Sequence, residues 1–105
     1  MLFHIAEPEL WHDARAHGSY AAASLTSEGF IHCSSAQQVV ATAARYYGGR
    51  TGLLLLEIRE GGLDIRWEPA PSGEEFPHVY GPIPVSSVIR ALPFEPDESG
   101  SFTRP

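Results

Sequence analysis

The chain has 105 residues, with 7 basic and 13 acidic side chains, for a net charge of −6 with histidine neutral. All seven cations are arginine and lysine is absent, which excludes Schiff-base catalysis, a P-loop lysine and a kinase-type phosphate-pairing lysine. A single core of this size leaves little room for a separate cofactor domain, and the acidic balance argues against a broad surface tracking a nucleic-acid backbone.

Taken in chain order, Leu2 to Ile5 is a short apolar run ahead of a turn and predicts a first strand. Pro8 suits the first turn of a helix, Leu10, Trp11 and Ala14 recur at helical spacing, and Gly18 supplies the stop. Residues 19–28 read as a loop with one helical turn near Ser24–Ser27. Gly29 to Cys33 predicts a second strand. Ser35 opens a second helix, with Gln38 at capping-box spacing and Ala36, Val40, Ala43 and Tyr47 on an apolar face that Gly48-Gly49 ends.

Leu53 to Ile58 is nearly unbroken apolar sequence and predicts a central strand buried on both faces. Leu63 to Trp67 alternates as a half-buried strand, Phe76 to Ile83 is extended around prolines, and Val85 to Phe94 predicts the last strand. Helices in the first half and strands in the second make an α+β class. Residues 1–94 are expected to form one domain and 95–105 a polar, frayed tail. A single cysteine, Cys33, fits a reducing compartment. The N-terminal MLFHIAEPELW lacks the basic region of a signal peptide, and the longest apolar run is far below the roughly 20 residues of a membrane span. A soluble, cytoplasmic protein without a membrane partner is therefore expected.

Chemistry-bearing residues gather in three places. In the second strand, alternation sends Phe30, His32 and Ser34 one way and Ile31 and Cys33 the other. His32 and Ser34 could grip one ligand, or His32 could bond internally beside the following helix. The same alternation denies Cys33 a dyad with His32 and leaves it a small buried hydrophobe. In Phe76-Pro77-His78-Val79-Tyr80-Gly81-Pro82, two aromatic rings flank an imidazole on one face, which suits stacking on a planar ring or packing into the core. Glu57 reads as a solvated strand terminus, whereas Glu68, where a strand meets a loop, could act as a base or be purely structural. His4, His32 and His78 have no metal-ligand spacing; a small histidine-ligated metal enzyme stands only as an alternative. No metal ligand is assigned.

The blocks Glu28-Gly29-Phe30-Ile31-His32-Cys33-Ser34 and Phe76-Pro77-His78-Val79-Tyr80-Gly81-Pro82-Ile83, with Ser24-Leu25, Gln38 and Tyr46, resemble the family called domain of unknown function 952 from about His4 to Phe94. That resemblance implies the ADP-ribosyltransferase-like fold, with split β-sheets and two helices in the N-terminal half. It is closest to the RNA 2′-phosphotransferase branch, in which a strand ending His-hydrophobic-Ser precedes a helix. It implies NAD as cofactor in a cleft between the sheets, with His4, Ser34, Phe76 and Tyr80 binding it and His32, His78 and Glu68 catalytic. The partner implied is a small nucleotide such as NAD or ADP-ribose. RNA fits poorly, because no phosphate-gripping arginine set is recognisable among Arg45, Arg50 and Arg66. A binding module that keeps the cleft without turnover is the alternative.

Overall fold

A computed structural model of the chain describes residues 1–103. Strand β1 (Leu2–Ala6) is followed by helix α1 (Pro8–His17), strand β2 (Ser19–Tyr20), helix α2 (Ala23–Glu28), strand β3 (Ile31–His32) and helix α3 (Val39–Tyr46). Strands β4 (Leu53–Ile58), β5 (Ile65–Pro69), β6 (Glu75–Val79), β7 (Ile83–Pro84) and β8 (Val88–Phe94) complete the fold, with a 3₁₀ turn at Val85–Ser87 before β8. The α+β class holds, with all the helices of the described residues in the first half, but they number three: the turn expected near Ser24–Ser27 is a helix of its own.

Pro8 opens α1, and Gly18 ends it with φ +90°, a conformation that favours glycine. α3 starts three residues later than the capping-box spacing predicts. Gln38 does reach back to the Ser35 N–H at 3.0 Å, but it caps an intervening turn. The buried stripe of α3 is therefore Val39 and Ala43, with Ala36, Val40 and Tyr47 flanking it.

β4 is central, as its unbroken apolar run predicts, lying antiparallel between β1 and β8. Its two faces feed separate cores. Leu56 and Ile58, with Leu2 and Ala6 of β1, pack toward Ala14, Ile31 and Val79. Leu53 and Leu55, with Phe3 and Ile5, pack toward Val39, Ala43, Phe94 and Phe102. Glu57 is not a solvated terminus: it is buried mid-strand and forms an ion pair with Arg90, its register partner on β8. Phe102 is also buried against Phe94, so the tail is anchored through that ring instead of fraying from residue 95. Residues 104 and 105 of the tail lie outside the described residues.

A second three-stranded sheet has the order β3-β6-β5. β5 is its edge, which explains how Pro69 is tolerated at a strand end. The extended run expected over Phe76 to Ile83 breaks at Gly81, whose φ of +122° turns the chain out of this sheet so that β7 pairs with β2. A Cβ at Gly81 would meet nothing within 4 Å, so the conformation, not close backbone approach, requires the glycine. The two larger sheets meet at a single bridge, in which Phe3 and Ser34 exchange backbone hydrogen bonds of 2.8 Å. Among the described residues no helix is long and apolar enough to cross a membrane.

Candidate functional site

A cleft of about 650 Å³ lies beside the Phe3–Ser34 bridge, lined by residues of β1 and of the β3–β6 pair. That volume lies within the ordinary range of small-molecule sites. β1 contributes His4, the β3 segment Phe30, His32 and Ser34, α3 Thr42, Tyr46 and Tyr47, and β6 Phe76 and His78. His4, His32 and His78 therefore border one cavity, although they are far apart in sequence.

The three imidazoles are held differently. His4 is buried; its Nδ1 lies 2.5 Å from the His32 carbonyl oxygen and its Nε2 2.7 Å from the Tyr20 hydroxyl. A carbonyl only accepts, so Nδ1 carries the proton and the Tyr20 hydroxyl donates to Nε2. Burial pulls the His4 pKa down to about 4 and pushes that of Tyr20 up, which keeps both neutral. With both ring nitrogens taken up within the protein, His4 offers a bound molecule no free polar atom. Its work is to tie β1 to β2 and to the His32 backbone. Tyr20, in the stretch expected to be irregular, is the partner that sequence reasoning missed. A histidine inside an apolar strand needs hydrogen-bond partners, and that was the available signal.

His32 and His78 are direct register partners on β3 and β6, so they share a sheet face, and Arg66 of β5 extends the same row. The His32 and His78 rings lie edge to face at 5.3 Å, and Phe30 stacks on His78 at 4.0 Å with an interplanar angle of 14°. His32 is exposed, with Nε2 2.9 Å from the Glu28 carboxylate. His78 is mostly covered, and its Nδ1 lies 2.8 Å from Glu68 Oε1, which also accepts the Tyr80 hydroxyl at 2.6 Å. The Tyr80 and then the His78 hydrogen bond hold the Glu68 carboxyl below its ordinary range, while the bond to Glu68 raises the Tyr80 phenol. An ionised Glu68 fixes the proton of neutral His78 on Nδ1 and leaves Nε2 with its lone pair. Among the described residues no protein group bonds that Nε2.

Two placements differ from expectation. Glu68 and Tyr80 are not among the residues lining the cleft. β5 is the sheet edge farthest from β3, so Glu68 reaches the site only through His78. The face of Tyr80 is covered by Arg66, whose guanidinium carbon lies 4.1 Å from the ring centroid. The ring available for stacking from the Phe76–Tyr80 pair is thus Phe76. Ser34 lines the cleft as expected, its hydroxyl 3.3 Å from that of Thr42. Cys33 is buried on the opposite side of the strand from His32, and burial pushes its thiol up to about 12, so it is no nucleophile at neutral pH. Among the described residues no three His, Cys, Asp or Glu side chains are placed to share a metal ion.

A family model described as "Protein of unknown function (DUF952)" matches residues 5–91. The chain belongs to this family. Both blocks that shape the cleft fall inside the matched span, so the DUF952 core includes β3, β6 and their histidines. The DUF952 chain is similar to protein CC0527 from Caulobacter crescentus, solved by crystallography. The two share 33% identity over 97% of this chain and 92% of that one, with a TM-score of 0.87. The solution structure of the same protein aligns at 34% identity over 95% and 89% of the two chains, with a TM-score of 0.83. No curated protein matches the chain.

Proposed function

We propose that this protein is an ADP-ribosyltransferase-like enzyme whose cleft takes a small nucleotide of the NAD or ADP-ribose class. The observation that carries the reading is His78 on the cleft wall with Glu68 bonded behind it: a carboxylate fixes the tautomer of an imidazole and leaves its Nε2 able to take a proton. Two three-stranded sheets that share one backbone bridge, Phe3–Ser34, among the described residues, with the cleft beside it, support the split-sheet reading. The ring and ribose of such a nucleotide fit the residues present. Phe76, Phe30 and Tyr46 offer apolar ring surface, and Ser34, Thr42 and His32 offer hydrogen-bonding groups.

NAD in this cleft would supply a nicotinamide–ribose bond that breaks with its electron pair passing to nicotinamide. The hydroxyl of water or an acceptor would bond to the ribose carbon that nicotinamide leaves, His78 Nε2 would take its proton, and Glu68 would stabilise the resulting imidazolium. Ser34 and His32 position the ribose, and His4 holds the His32 backbone in place. The alternative, a module that binds without turnover, is favoured by the placement of Glu68 behind His78, which leaves no carboxylate of that pair in the cleft.

Titration calorimetry with NAD and ADP-ribose, paired with an assay of nicotinamide release, tests both readings. The enzyme reading expects binding of both ligands and a slow release that His78→Ala abolishes. Binding with no release leaves the module reading. Absence of binding, or equal binding by wild type and His32→Ala, overturns the site assignment.

A further inference from the structure

The cleft lining contains no arginine, and its charged side chains besides the histidines are Glu7 and Glu28. A nucleotide held by its ring must therefore place its phosphate elsewhere. A second cavity of about 150 Å³ neighbours the cleft and shares Thr42, Tyr46, Ala70, Pro71 and Phe76 with it as a common border. Arg45 lines this second cavity. Among the described residues Arg50, Arg66 and Arg90 are ion-paired with Glu7, Asp64 and Glu57, and Arg15 and Arg59 border neither cavity. Arg45 makes no ion pair there; its guanidinium carbon lies 5.6 Å from the centroid of Tyr46, a ring that lines both cavities.

We infer that the second cavity is the phosphate subsite, with the Arg45 guanidinium contacting a phosphate or diphosphate whose nucleoside occupies the main cleft. This rests on the nucleotide reading of the cleft. A guanidinium presents a planar fork of donors to phosphate oxygens, and a charge-assisted bond of this kind is among the stronger polar contacts. Glu74 sits across the same cavity, with its carboxylate 3.1 Å from the Gln38 amide. It opposes an anion, so it limits how much charge the subsite accepts. One cation facing one carboxylate suits a single nucleotide and not a polyphosphate chain.

The test is calorimetry on the full chain with ADP-ribose and with adenosine, comparing wild type, Arg45→Gln and Glu74→Gln. Arg45 is exposed, so its substitution leaves the fold intact; an unchanged circular dichroism spectrum checks this. Arg45→Gln is expected to weaken ADP-ribose by about tenfold or more, on the order of one charge-assisted contact, and to leave adenosine within about twofold. Glu74→Gln is expected to tighten ADP-ribose. If ADP-ribose binds wild type and Arg45→Gln equally, the phosphate subsite is overturned while the cleft assignment stands. If neither ligand binds wild type, the cleft assignment fails and takes the subsite with it.

Discussion

At the residue scale, two histidines have a ring nitrogen oriented by opposite means. His4 is fixed by burial between a carbonyl and a phenol, and His78 by a carboxylate on the neighbouring strand. Tyr20→Phe removes the donor to His4 Nε2 and leaves a buried acceptor unsatisfied. We expect it to cost about 1–3 kcal/mol of stability, measured by urea unfolding. For the neutral form of the His78 ring, nitrogen NMR shifts should show the proton on Nδ1, against Glu68, in wild type. In Glu68→Ala that preference should relax toward a mixture; an unchanged tautomer would mean that Glu68 does not orient the ring. Alternation along two short strands places His32, Ser34, Phe76 and His78 toward one ligand space, and all four line the cleft. It could not show that Glu68 and Tyr80 bond to each other behind His78, because that depends on which strand lies at the sheet edge.

At the element scale, strands with unbroken or strictly alternating patterns were readable in the sequence, and of the two-residue strands β3, within the stretch from Gly29 to Cys33, was readable too. β1 and β4 fall where their apolar runs place them. β5 lies two residues later than its alternation predicts, since Leu63 and Asp64 belong to the turn and not the strand. β2 and β7 are pairs of two residues whose identity comes from each other, a long-range fact with no local pattern. Two changes probe these elements. Gly81→Ala forces a side chain into φ +122° at the exit from β6 and should destabilise by at least about 1 kcal/mol. Phe102→Ala empties the ring-sized space against Phe94 and should cost about 3 kcal/mol, whereas a frayed tail would show no loss. Both are read from thermal or urea unfolding.

At the scale of the whole molecule, the two halves of the core share β4, and the cleft lies beside the bridge between the two sheets. Acid sensitivity follows from the same architecture. An unfolded histidine titrates near 6.5 but His4 in the fold near 4, so below pH 6.5 the unfolded chain takes up a proton that the native state refuses. This contribution is intact above pH 6.5 and drains away as pH falls toward 4, amounting to about 3 kcal/mol. His4→Gln should lose that part of the pH dependence, seen as a smaller difference between unfolding at pH 7 and at pH 4.5. The acidic, lysine-free composition acquires a place in this picture as well. Among the described residues Arg50, Arg66 and Arg90 are tied to carboxylates, and the cleft lining holds no arginine; rings, hydroxyls, imidazoles and the carboxylates of Glu7 and Glu28 line it.

The most direct test of the cleft as a nucleotide site is chemical-shift mapping of labelled protein titrated with ADP-ribose. The account predicts perturbations concentrated at Ser34, Thr42, Phe76 and His78, saturating together with a single affinity. No perturbation, or one confined to the outer surface around Trp67 and Ile89, would contradict it.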